Sequence, residues 1–134
     1  MAVLVGVILG LLVWLFGRIV GLDRDRAYYA TILAVVALYY VLFAIMGGSV
    51  RALLLESIAV PAFFALTALG FKRSQWFVVS GLVGHGAFDC VHGLLVSNPG
   101  MPVWWPAFCS SIDFAMGGLL AWNILRSTYR KQQS

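Results

Sequence analysis

Charge is what this chain has least of. Five carboxylates and nine basic side chains are spread over 134 residues, so 10% of the chain is charged while 62% is hydrophobic. Soluble domains carry about 25% charged and roughly 45–50% apolar residues. A water-soluble core of this size has no room to hide the surplus, so the natural solvent is a bilayer. Cysteine is scarce too, with only Cys90 and Cys109. They can pair if their helices touch, yet thiols buried in membrane helices are more often free. Linkers, repeats and low-complexity segments are lacking, and residues 1–134 read as one compact membrane domain. A basic stretch before the first apolar run and a small-x-small site after it are also missing, so that run reads as a retained helix and not as a secretory signal.

Long apolar runs are what is present. A helix needs ~20 apolar residues to cross the hydrocarbon at ~1.5 Å per residue. Five such spans fall at about 2–20, 27–46, 52–71, 76–96 and 105–125, separated by RIVGLDRDR, GGSVR, KRSQ and SNPGMPVW. Runs this continuous favour helices over barrel strands. The fold class is therefore all-α, an integral membrane bundle of five helices, with the polar tail after Asn123 outside it.

The basic residues set an orientation. Arg18, Arg24, Arg26, Lys72, Arg73, Arg126, Arg130 and Lys131 lie on one side of the alternating spans, and only Arg51 lies on the other. The positive-inside rule puts the eight in the cytoplasm, the N-terminus outside and the C-terminus inside. The net charge of +4 then reports topology and contact with anionic lipid. Nucleic acid is a poor partner, because the basic residues are split among short segments with no aromatic interleaving.

Against this background the carboxylates are in costly places. Asp23 and Asp25 alternate with arginines in a loop, but Glu56, Asp89 and Asp113 fall inside the third, fourth and fifth spans. Each costs roughly 2.5–3.5 kcal/mol at a helix centre, and His85 and His92 add to the cost. Helix rise places Glu56 and His92 ~6 Å below the outer boundary, Asp89 ~10 Å, Asp113 ~12 Å and His85 ~16 Å. All five belong to the outer half of the bilayer. His85, Asp89 and His92 are spaced i, i+4, i+7 and share one helical stripe, which Gly81 extends. Cys109, Asp113 and Gly117 form a second stripe below Pro106. Pro61 removes a donor to the Ser57 carbonyl and kinks the third helix or frees that carbonyl. Trp104 and Trp105 read as interfacial anchors, and at least one of Tyr39 and Tyr40 is expected to turn inward and bond a carboxylate.

Three carboxylates in one small volume require protonation or a cation. Two histidines with two or three carboxylates suit a divalent transition metal: zinc, iron or manganese. Helical bundles build metal sites from such inward-facing ligands, and an open position would hold a water as nucleophile. The expected ligands are His85, Asp89, His92, Glu56 and Asp113, with Glu56 or Asp113 doubling as catalytic base. A metal-free acid/base site and a structural polar network compete with this reading.

The blocks HGAFDCVHG and PVWWPAFCSSID resemble a family of small bacterial inner-membrane proteins of unassigned function, a likeness over about the C-terminal 50 residues that implies a bacterial inner membrane and supplies no activity. A looser likeness is to the emopamil-binding sterol isomerases. Those five-span proteins use a histidine, a carboxylate four residues away and a second acid on another helix to move a proton across a double bond. His85 and Asp89 match that spacing, with Glu56 or Asp113 as second acid. The match departs in lying on the fourth span, in having Asp as the acid, and in the presence of His92.

An enzyme acting on a lipid or lipid-like substrate at the outer leaflet is the leading expectation. The alternatives are a proton- or metal-coupled carrier, a metal-free isomerase and an accessory subunit of a membrane complex. A carrier needs a path to the inner side, and no polar ladder runs toward Lys72 or Arg126. With no inverted repeat in five spans it would also need a homo-oligomer. Gly6-x3-Gly10 and Gly17-x3-Gly21 are spacings that pack helices within or between chains.

Overall fold

The computed structural model describes the backbone of residues 1–132 and the side chains of residues 1–128. The side chains of Arg130 and Lys131, counted in the basic set, lie outside the described residues. Among the described residues there are five long helices and no strand. They are α1 (Ala2–Val20), α2 (Arg26–Met46), α3 (Val50–Lys72), α4 (Trp76–Leu95) and α5 (Trp105–Gln132), with a 3₁₀ turn, Leu22–Arg24, between the first two. All five are long and apolar enough to cross a membrane.

Local chemistry sets most boundaries. Gly21 takes a left-handed conformation, φ 86°, and its N–H returns to the Gly17 carbonyl, which stops α1. The Asp25 carboxylate accepts the Ala27 N–H at 2.9 Å and starts α2. The Ser49 hydroxyl does the same for α3, accepting from Ala52 N–H at 3.2 Å. Pro61 lies within α3, which continues through it. Pro106 sits in the first turn of α5, where its missing N–H costs little.

The fifth helix differs from expectation: it runs to Gln132, past the expected end near 125. The sequence after Asn123 is polar but contains neither Gly nor Pro, and Arg, Lys and Gln are good helix formers. Ser127 and Thr128 hydroxyls donate to the Ile124 carbonyl at 2.8 and 3.1 Å, and so add no break. The apolar run ends before the helix does.

In the bundle α5 lies between α1 and α4, α4 contacts α3, α3 packs on α2, and α2 reaches α4 across the interior. The apolar core joins Leu33 and Val36 of α2, Val78 and Leu82 of α4, and Met116 and Leu120 of α5. The buried residues of α1 are all glycines: Gly6, Gly10 and Gly17. A Cβ on Gly6 would come within 2.5 Å of the Phe108 carbonyl, and one on Gly10 within 3.1 Å of Ala115 Cβ. The Gly6-x3-Gly10 spacing therefore packs helices within the chain, seating α1 on α5. Gly17 rests on the Tyr28 ring, and Tyr28 donates to the Val13 carbonyl at 2.7 Å.

Large apolar side chains cover the outside. Ile58 is 73% and Leu94 88% exposed, with Leu54, Val91 and Ile19 also outward. Water would penalise such a continuous apolar exterior, whereas lipid chains solvate it. Arg18, Arg24, Arg26, Arg73 and Arg126 gather around clefts at one end of the bundle. Arg51 lies at the other end beside Val96 and Ser97.

Candidate functional site

The polar residues of α4 enter the bundle as one stripe. His85, Asp89, His92 and Asp113 are all 1% exposed or less, and Glu56 is 2% exposed. Two small residues let α5 approach this stripe. A Cβ on Gly86 would meet Asp113 Cβ at 3.3 Å and the Ser110 carbonyl at 3.2 Å, and one on Gly117 would meet Val83 at 3.1 Å. Gly81 gives the Leu33 side chain of α2 its place against α4. Close helix approach is what carries Asp113 to His85.

The five expected ligands are not one group but two tiers. In the deeper tier, His85 Nδ1 lies 2.7 Å from Asp113 Oδ2 and 3.6 Å from Asp89 Oδ1. Cys109 Sγ lies 4.0 Å from the same Asp113 oxygen. One ligand atom from each of His85, Asp89, Cys109 and Asp113 falls within 4.8 Å of the others. In the outer tier His92 Nε2 lies 2.7 Å from Glu56 Oε1. That oxygen also accepts from the Asn98 amide at 3.0 Å. His92 is seven residues beyond His85, about 10 Å along the helix, and Asp89 of the deeper tier lies between them, three residues before His92.

Tyr40 joins them. Its hydroxyl donates to Asp89 Oδ1 at 2.6 Å, its ring stacks on His92 with centroids 4.0 Å apart and planes 12° apart, and its carbonyl accepts from Asn98 at 3.0 Å. The expected inward tyrosine is thus Tyr40. Tyr39 instead packs on Trp105 and Phe43.

Two residues of the site were not foreseen as such. Cys109, which the sequence places on one stripe with Asp113 but not among the ligands, is free and buried, and Cys90 is free and exposed. Its i, i+4 relation to Asp113 was the available signal. Asn98 belongs to the SNPGMPVW segment, which in the sequence only separates two spans. The loop from 96 to 104 folds back onto the end of α2, where Gly100 packs against Gly47 and the Phe43 carbonyl. This fold-back inserts the Asn98 amide over Glu56, and nothing in the local sequence announces it.

The deeper tier has the donors for a cation. Asp89 Oδ2 and Asp113 Oδ1 are buried without a hydrogen-bond partner, which is unfavourable for carboxylate oxygens unless a proton or a cation meets them. A tetrahedral ion with bonds of ~2.0–2.3 Å sets its ligands roughly 3.3–3.8 Å apart. The His85–Asp89 and Cys109–Asp113 separations of 3.6 and 4.0 Å are close to that span. The 2.7 Å His85–Asp113 contact is a hydrogen bond whose proton a metal would replace.

An apolar groove of about 440 Å³ between α1, α2 and α5 ends at this tier. Val13, Ile32, Tyr39, Trp105, Met116 and Cys109 line it, and Leu9 and Val35 on its rim are exposed. Toward the basic end the path is closed by Leu33, Leu82, Met116 and Leu120, all 1% exposed or less. Comparison of the chain with protein-family models, curated proteins and solved structures finds no match, so the functional argument rests on the geometry of the site.

Proposed function

We propose that the chain is a multi-pass membrane enzyme, of a bacterial inner membrane, that uses a divalent transition metal on a lipid-like substrate. The metal is held by His85, Asp89, Cys109 and Asp113, and the substrate reaches it along the groove from the bilayer. The observation that carries this reading is the convergence of four ligand atoms within 4.8 Å in a fully buried site, beside two orphaned carboxylate oxygens. A mixed nitrogen, oxygen and sulfur set favours zinc or iron over manganese, which prefers oxygen. A bound metal would polarise a substrate oxygen or lower the pKa of a water. The orphaned oxygens of Asp89 and Asp113 are the candidates for accepting a proton from it. Cys109 is both a proposed ligand and part of the groove wall, so an apolar chain in the groove lies directly against the centre. Glu56 and His92 support the site from the outer tier through Tyr40.

The closed apolar layer beneath the tier favours an enzyme over a carrier, which needs passage to the other side. A second reading, metal-free acid/base isomerisation, is favoured by the short hydrogen bonds His85–Asp113 at 2.7 Å and Tyr40–Asp89 at 2.6 Å, which hold a proton at the end of an apolar groove.

Elemental analysis after purification without chelators tests the metal. About one equivalent of transition metal per chain is expected, with loss in Asp113→Asn and His85→Ala and retention in Glu56→Gln. With cobalt in its place, a thiolate-to-metal absorption band should be present in the parent and absent in Cys109→Ser. A metal-free parent that still turns over an apolar substrate would sink the metal and leave the acid/base reading. Metal lost with Glu56→Gln but kept with Cys109→Ser would overturn the two-tier grouping.

A further inference from the structure

The basic end of the bundle contains a second site. A cleft of about 390 Å³ lies where α1, the 3₁₀ turn, the start of α4 and α5 meet. Arg18, Arg24 and Arg126 reach it from three separate segments, with Gln75, Asn123 and Ser127 between them. Two of the guanidinium groups are held in place. Arg18 donates to Asn123 Oδ1 at 2.9 Å and lies over Trp14 at 5.3 Å. Arg126 lies over Trp122 at 4.7 Å. Cation–π contact and a fixed hydrogen bond reduce the side-chain freedom a ligand would have to remove.

Positive charge is in excess there, with Arg18, Arg24 and Arg126 facing the single carboxylate of Asp23. Among the described residues the close ion pairs all involve histidine in the buried tiers, and none joins an arginine to a carboxylate. Asp23 lines the cleft without pairing at that range, and Asp25 is committed to capping α2. The first turn of α4 starts beside the cleft at Gln75, with its Trp76 and Phe77 N–H groups already bonded to the Ser74 hydroxyl and carbonyl at 3.4 and 3.0 Å, so the arginines and not the helix end supply the positive charge. Leu120 and Ile124 give the cleft an apolar floor.

We infer that this cleft binds a phosphate group, gripped by Arg18, Arg24 and Arg126. Planar guanidinium groups match phosphate oxygens bidentately, and Gln75, Asn123 and Ser127 supply further donors. The cleft stands apart from the His/carboxylate tiers, and the inference does not depend on how they work. Two sources present this chemistry, an anionic phospholipid headgroup and a free phosphate. The apolar floor suits the first, since a headgroup arrives with its chains.

Binding is tested on the full chain in neutral detergent. Short-chain phosphatidylglycerol, short-chain phosphatidylcholine and inorganic phosphate are titrated separately while tryptophan fluorescence is followed, because Trp14 and Trp122 lie under the arginines. Phosphatidylglycerol should give a saturable change. Each basic residue near an anionic membrane surface contributes about 1 kcal/mol, so Arg24→Gln and Arg126→Gln should each weaken binding by about fivefold, and Arg51→Gln should not. Saturation by inorganic phosphate with the same losses supports the cleft and assigns it the soluble source. Equal binding of phosphatidylcholine, equal loss in Arg51→Gln, or no saturable response to either anion overturns the inference. Should Arg126→Gln fail to fold, Arg24→Gln, on the turn, decides alone.

Discussion

Tyr40 is the residue on which the two tiers depend, and it can be probed with little change in shape. Tyr40→Phe keeps the ring that stacks on His92 but removes the donor 2.6 Å from Asp89 Oδ1. That oxygen then has only His85, 3.6 Å away. Leaving a buried acceptor short of its donor costs about 1–3 kcal/mol. The expected result is a folded protein with a lower thermal midpoint, retained metal and reduced turnover. Circular dichroism, elemental analysis and a substrate assay would separate these effects; loss of metal with unchanged stability would show that Tyr40 acts on the ligands directly. Asp113→Asn is the complement. It preserves the shape next to His85, so it should fold nearly as well as the parent and lose metal and activity together.

At the scale of the helix, α1 is attached through glycine contacts, and this makes it selectively vulnerable. Gly6→Leu would drive a side chain into the Phe108 carbonyl and Ser111 of α5. Overpacking of this kind costs typically 1–3 kcal/mol, and α1 also forms a wall of the groove through Leu9 and Val13. Gly6→Leu should therefore lower the midpoint and widen or collapse the groove. Gly118→Ala has no neighbour within 4 Å and should leave stability unchanged or slightly raised. Thermal unfolding of both variants in detergent checks the pair; equal behaviour would mean that α1 is not held by close contact with α5.

The same scale explains what could be read in advance. Helix positions were legible because bilayer thickness fixes the length of an apolar run, and the α4 stripe because i, i+4, i+7 is a property of one helix. The inward tyrosine followed from the need to satisfy a buried carboxylate. The division into tiers was not legible. Depth places Glu56, His92, Asp89 and Asp113 within a few ångströms of one another along the membrane normal, but lateral distances depend on which helices touch. The order of helices around the bundle is a tertiary property that no single periodicity encodes. Asn98 reaches Glu56 only because the loop folds over α2, and the end of α5 is hidden because polarity there reports water and not a helix stop.

At the scale of the whole molecule, the polar tiers and the basic cleft lie toward opposite ends of the bundle, with the layer of Leu33, Leu82, Met116 and Leu120 between them. If the positive-inside rule operates, eight basic residues against Arg51 alone hold the cleft in the cytoplasm and turn the tiers outward. That orientation would give the two ends different chemical surroundings: the arginines would meet the anionic inner leaflet, and the groove would open to the outer half of the bilayer. A cysteine at Ser97, exposed beside Arg51, should react with a membrane-impermeant thiol reagent in intact cells, in a background with Cys90 and Cys109 replaced by serine. A cysteine at Arg24, exposed on the turn, should react only after permeabilisation. The reverse pattern would place the site on the cytoplasmic side. Because the bias rests on short loops, replacing Arg26, Lys72 and Arg73 by glutamine in each of the two cysteine variants should produce a mixed population in which both positions are partly labelled in intact cells. That outcome would identify loop charge, and not the polar tiers, as what orients the protein.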